Sequence, residues 1–336
     1  ESHAGWYVLI GICAAVPCLM VLVLLLMSAD MVFADLLVRF AGVFRFPVKL
    51  LRILLMLVFG FLSSYCGVRY VQKHAADIKP SAGKTAEPLI AIAFTAPIAV
   101  LYLLFSAIQI VYLFIGNMQL PAGVTYAEYA RRGFFQLLFV CVLNLAAVLS
   151  IQSYFKENRV LKALLLAISG CTLIMTASSA CRMLLYIRAY QLTFLRVSVL
   201  VALAVIALLM AGVIAKIVKP QFPQFRYGFV LAGAVYLVFA FYHVDYFIAA
   251  YNLTHTSWEA SGEETVDYSY LYTLSTDAAP AIEKYAGKSG AADYRKQGWY
   301  QLYCEVNEEA LNETGLRTYN VSHAVAKQIL MEDNRE

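Results

Sequence analysis

The chain has 336 residues, 61% of them apolar and 14% charged, with a mean hydropathy of +0.68. A soluble domain carries roughly 25% charged residues, so a water-soluble core is excluded as the place for this much apolar surface, and lipid is the expected solvent. The net charge of +4 conceals a split: residues 1–245 hold 19 Lys/Arg against 8 Asp/Glu, and residues 246–336 hold 7 against 14. The positive charge is dispersed over helix ends rather than gathered in one stripe. That argues against nucleic acid as a partner and for membrane lipids, anionic headgroups included.

A bilayer core of ~30 Å needs about 20 apolar helical residues. Seven stretches qualify, near Trp6–Met27, Leu50–Tyr70, Leu89–Ile115, Gly133–Phe155, Leu161–Arg182, Val197–Ile217 and Tyr227–Ile248. The expected fold class is all-α: a polytopic transmembrane helix bundle over residues 1–250, followed by a small, acidic, helical extramembrane domain over residues 251–336. The first stretch is longer than a signal-peptide core and lacks a cleavage pattern after it. A chain opening on Glu1 is expected to be a processed or truncated product with helices upstream. The second stretch is bounded by Arg52 and Arg69, which must snorkel to opposite interfaces. Pro97 is a candidate break in the third, of the kind transporters use. Trp6 and the span-end tyrosines Tyr70, Tyr154, Tyr227 and Tyr246 suit interfacial anchoring.

Loops after the first, third and fifth spans are Arg-rich, with Arg39, Arg45, Arg131, Arg132, Arg182, Arg188 and Arg196. Loops after the second, fourth and sixth are mostly Lys, including Lys73, Lys79, Lys84, Lys156, Lys162, Lys216 and Lys219, and read as solvated. Arginine in tight places usually grips a planar partner, so the Lys loops are assigned to the cytoplasm and the C-terminal domain to the other side. With seven spans, the Arg-rich loops and the C-terminal domain share one face in either orientation.

Four constellations carry most of the chemistry. Ser28-Ala29-Asp30 precedes an amphipathic turn, where Asp30 either caps a helix or pairs an arginine. Tyr126 to Arg132 opens the fourth span; there Glu128 either satisfies Arg131 and Arg132 at i+3 and i+4 or leaves them aimed at a phosphate or carboxylate. Arg182, Tyr186 and Tyr190 are one turn apart, with Arg188 and Arg196 nearby. Arg182 follows a run of small residues, and either snorkels to the interface or points into a packed interior. His243 and Asp245, two apart, do not share a helix face, so a catalytic or metal pair is not expected there.

In the C-terminal domain, Ser275-Thr276-Asp277 before Ala-Ala-Pro marks a helix start. Further helices are expected over Gly298–Ala310 and Asn320–Met331, and no strand alternation stands out. Six of the seven cysteines lie in apolar stretches, and no CxxC, HExxH, GxSxG or strand-preceded GxGxxG occurs. No catalytic residue, metal or cofactor is therefore assigned.

The order of several segments resembles a family. They are Ser-Ala-Asp-x-Val-Phe at Ser28–Phe33, Thr-Tyr-Ala-Glu-Tyr-Ala-Arg-Arg-Gly-Phe-Phe at Thr125–Phe135, and Arg-Met-x-Leu-Tyr with Leu-Thr-x-x-Arg across Arg182–Arg196. Ala-x-Tyr-Asn-Leu at Ala249–Leu253 and Tyr-Leu-x-x-Leu-Ser-x-Asp-Ala-x-Pro at Tyr270–Pro280 complete the set. Together they resemble bacterial multi-pass membrane proteins grouped as domain of unknown function DUF4173 and its relative DUF4153. Gln191 departs from the pattern, standing where Gly is expected in a tight turn. The resemblance implies a bacterial inner-membrane protein and supplies no reaction.

The leading expectation is a non-enzymatic envelope protein. Arg131, Arg132, Arg182, Arg188 and Arg196, with Tyr186, Tyr190, Glu128 and Asp30, would bind an anionic ligand, a lipid headgroup or a partner protein's acidic segment beside the C-terminal domain. Sensing, lipid handling or complex assembly would follow. The competing expectations are a transferase acting on lipid-linked precursors through Asp30, Asp35, Glu128 or Asp245, a transporter, and a structural subunit whose arginines pair with acids of the C-terminal domain.

Overall fold

Long uncharged runs dictate long helices, because a backbone in hydrocarbon must satisfy its own hydrogen bonds. The structure, a computed structural model, describes residues 2–41, 86–111, 133–255, 257–258, 264–265, 267–286, 297–312 and 320–332. The second expected span and Tyr126–Arg132 lie outside the described residues. The helices are α1 (Ser2–Ala29), α2 (Met31–Ala41), α3 (Pro88–Gln109), α4 (Phe134–Tyr154), α5 (Arg159–Tyr190), α6 (Phe194–Val218), α7 (Gln224–Phe241) and α8 (Val244–Thr254). A two-residue antiparallel ribbon, β1 (Ser257–Trp258) with β2 (Glu264–Thr265), follows. Then come α9 (Tyr268–Leu271), a 3₁₀ turn at Thr276–Ala278, α10 (Ala279–Tyr285), α11 (Gly298–Asn312) and α12 (Val321–Glu332). Among the described residues, α1, α3, α4, α5, α6 and α7 are long and apolar enough to cross a membrane.

Three expectations need correction. Pro97 does not break α3, which runs through it; neighbouring helices and local adjustment absorb such a residue. The last span stops at Phe241 rather than running to Ile248. His243 takes a left-handed backbone (φ 45°) and α8 starts afresh at Val244. The short ribbon had no alternation to reveal it, being two residues a side.

The chain forms two compact units. One holds α1 to α4, α5 as far as Ala180, and Ile206–Gly228. Its core gathers Leu26, Phe33, Phe105, Leu137, Met175 and Met210. Glycines allow close approach: a Cβ on Gly11 of α1 would lie 2.6 Å from Ala93 Cβ and from Ile90 O of α3. The other unit holds Cys181–Val205 and Phe229 onward. Its core joins Ile248, Ala249 and Leu253 of α8 to Leu271, Ile282 and Tyr303 of the acidic C-terminal region. Helix α7 has no buried residue; Phe225, Phe229, Tyr236 and Phe241 are all exposed. In a water-soluble protein that would be a liability, but hydrocarbon tolerates it.

Candidate functional site

The turn between α5 and α6 is where the Arg-bearing sequence meets the C-terminal region. Gln191 occupies the left-handed conformation (φ 63°) that ordinarily favours Gly, so the turn is tight despite the side chain. The side chain's hydrogen bonds hold it there. Nε2 of the buried Gln191 donates to Asn252 O (3.2 Å) and His255 O (2.7 Å), and its Oε1 accepts from Asp267 N (3.0 Å). Asn252 answers from α8: its Oδ1 accepts from Leu192 N (2.8 Å) and its Nδ2 donates to Leu192 O (2.9 Å). Tyr270 accepts from Phe194 N at 2.9 Å, and burial raises its phenol above the ordinary range. Five hydrogen bonds thus clasp the turn to the segment 252–267, closing the groups that burial would otherwise leave unpaired.

Arg196 completes the corner. Its Nη1 donates to Tyr190 O (2.6 Å) and to Gln191 O, covering carbonyls at the end of α5, and its guanidinium lies 4.4 Å from the centre of the Tyr186 ring. The Tyr186 and Tyr190 rings meet at 4.9 Å. Both the helix dipole and the ring face favour a cation there. Arg188 sits in the last turn of α5 and is exposed. Arg182 is fully buried (0% exposed) and engaged by neighbours, so it does not snorkel. Arg131, Arg132 and Glu128 lie outside the described residues.

Asp30 belongs to the other unit. It caps α2, with Oδ1 accepting from Val32 N and Phe33 N, each at 2.9 Å. Its Oδ2 accepts from Gln109 Nε2 (2.8 Å), whose Oε1 accepts from Ser178 Oγ (2.6 Å). All three residues are buried. A second chain crosses the same core: Tyr102 OH donates to Asn144 Oδ1 (2.6 Å), and Asn144 Nδ2 donates to Thr172 Oγ1 (3.0 Å). These contacts tie α2, α3, α4 and α5 together directly. Of the other carboxylates weighed as a base, Asp35 is exposed beside Arg39 (2.9 Å), and Asp245 accepts from Ser275 N (3.1 Å) and Oγ (2.6 Å).

Sequence reading missed the pairs made across distance. His243 does not serve Asp245; its Nδ1 lies 3.4 Å from Asp277 Oδ2. That pair edges a cavity of about 360 Å³ that also takes in Tyr242, Phe247, Val321 and Val325. A second cavity, of about 440 Å³, opens among the ends of α4, α5, α6 and α7 and is rimmed by Lys156, Lys162 and Lys216. Neither is lined by Asp30, Asp35 or Asp245. In the sequence these lysines read as solvated loop charge. Their spacing in sequence gave no sign that they meet.

Long apolar helices, polar chains sealed inside the bundle and an unburied α7 define a multi-pass helical membrane protein. The family is shown as well: the model described as "Domain of unknown function (DUF4153)" matches residues 1–285, and the chain belongs to that family. No curated protein and no solved structure matches the chain.

Proposed function

We propose that this protein is a non-enzymatic bacterial inner-membrane protein that holds an anionic group at the α5–α6 corner. A lipid headgroup or a partner's acidic segment would supply the anion, serving envelope sensing, lipid handling or complex assembly. The carrying observation is Arg196, held in place over Tyr186 with one nitrogen committed to backbone carbonyls. The rest of its planar fork is left to grip a carboxylate or phosphate. The exposed Arg188 adds charge, and Arg131 and Arg132 are the proposed partners from the preceding loop. The Gln191–Asn252 clasp holds this corner on the C-terminal region, so the domain would report occupancy. In the proposed orientation the corner and the domain are extracytoplasmic, by the Lys/Arg contrast between loops.

The test is retention of an anionic lipid, against a neutral one, by purified protein carrying Arg188→Ala or Arg131→Ala. Each variant should weaken retention by roughly ten- to a hundredfold, since a charge-assisted hydrogen bond contributes roughly 1.5–3 kcal/mol. Unchanged retention in both removes the proposal.

A further inference from the structure

The 440 Å³ cavity lies wholly within one compact unit and is not part of the α5–α6 corner. Its floor is apolar, made by Ile151, Leu161, Leu165 and Ile217. Its rim carries three ammonium groups, Lys156, Lys162 and Lys216, against one lining acid, Glu157. It opens where four helices long enough to cross a membrane begin or end, so an apolar floor and a cationic rim meet at headgroup level. Here too α5 begins, and the positive end of a 32-residue helix dipole favours an anion.

The lysines have local partners: Lys156 Nζ lies 2.6 Å from Glu87 Oε1, Lys162 Nζ lies 2.6 Å from Glu157 Oε2, and Lys216 Nζ donates to Pro220 O. None of these closes the site. Both ion pairs are partly exposed, and such pairs contribute only about 0–1 kcal/mol. Each ammonium also has three donors. Two side-chain atoms beside them lack a partner. Gln152 Oε1, an acceptor, and Gln224 Nε2, a donor, are both buried atoms with no hydrogen bond, and both residues line this cavity. Buried polar atoms are normally satisfied, so a guest that both donates and accepts would complete the pair.

We propose that this cavity binds a phosphate ester bearing a hydroxyl group. The phosphate oxygens accept hydrogen bonds from the lysines and from Gln224 Nε2, and the hydroxyl donates to Gln152 Oε1. A cavity of this size accommodates a headgroup, and the apolar floor would receive the start of an acyl chain. Phosphatidylglycerol and a free glycerol phosphate share this chemistry.

Native mass spectrometry of the delipidated full chain decides it, with phosphatidylglycerol, phosphatidic acid, phosphatidylcholine and glycerol 3-phosphate as probes. Phosphatidylglycerol should be retained about tenfold over phosphatidylcholine, one decade in affinity. Lys156→Glu and Lys162→Glu, both surface changes, should bring it down to the phosphatidylcholine level. Gln152→Leu, which leaves charge alone, should lower phosphatidylglycerol more than phosphatidic acid, whose headgroup lacks the glycerol hydroxyls. Lys327→Glu on α12 is the charge control and should change nothing. Competition by glycerol 3-phosphate supports the site and names a soluble source; failure to compete, with lipid still retained, assigns it to lipid. Equal retention of the two lipids, or wild-type retention by both lysine variants, overturns the proposal. Loss with the lysine variants but not with Arg188→Ala and Arg131→Ala would sink the corner site and leave this one standing.

Discussion

Gly133→Ala should cripple the bundle, and the structure gives the reason in atomic terms. Gly133 precedes α4 with φ 94°, and a Cβ there would fall 1.9 Å from Ala29 O and 2.6 Å from Ala29 C. A carbon and a carbonyl oxygen rarely approach closer than about 3.3 Å. The start of α4 must therefore retreat by more than an ångström from the end of α1, or the backbone of Ala29 must yield beside the cap that Asp30 builds. The left-handed conformation adds about 1–2 kcal/mol for any residue with a Cβ. Retreat would also loosen the bond from Ser179 Oγ to Phe134 O (3.3 Å) and the buried Leu137. Together the loss should reach roughly 3–5 kcal/mol, the range of overpacked, strained sites. Gly170→Ala is the internal control: it lies inside α5, and its added Cβ would meet nothing within 4 Å. Ala there should be neutral or stabilising by up to ~1 kcal/mol. Thermal melting of detergent-solubilised protein, followed by size-exclusion recovery, compares the two. Recovery of Gly133→Ala at the wild-type temperature would refute the reasoning, because no alternative rotamer can relieve a Cβ clash.

Gln191→Gly should keep the left-handed backbone at no steric cost yet loosen the C-terminal region, since it abolishes the bonds to Asn252 O, His255 O and Asp267 N. Leaving those groups unpaired should cost about 1–3 kcal/mol, read as faster hydrogen exchange around 252–270; slower exchange would show that the turn, not the clasp, limits stability. Tyr303 is fully buried and donates to Ser275 O at 2.8 Å. Burial pushes its phenol well above the ordinary value, with lesser contributions from Cys304 and Asp245. A raised folded-state value gives stability that is whole below the unfolded pKa of ~10 and falls as pH rises beyond it. The C-terminal region should therefore unfold in alkali, and Tyr303→Phe should flatten that pH dependence while slightly lowering stability at neutral pH; an unaltered alkaline profile would assign the effect elsewhere.

Residue pattern alone determined the class of protein, the six described spans apart from the end of the last, and the C-terminal helices that start near Thr276, Gly298 and Val321. Hydrocarbon thickness sets helix length, and lipid leaves the backbone no choice but helix. Local chemistry was equally legible, as in Asp30 bonding Val32 N and Phe33 N or Asn320 Oδ1 accepting from Ser322 N (2.9 Å). What only the tertiary structure decided is which distant side chains share a place. Gln191 finds Asn252 and Asp267, His243 finds Asp277 rather than Asp245, and Asp30 reaches Ser178 through Gln109. The break at His243 was equally hidden, because Phe241, Tyr242 and Val244 are as apolar as the span they interrupt. An apolar run records how much hydrocarbon it can cross. A polar residue within or beside it acquires its role only from the neighbour that packing delivers, and no spacing along one helix encodes that neighbour.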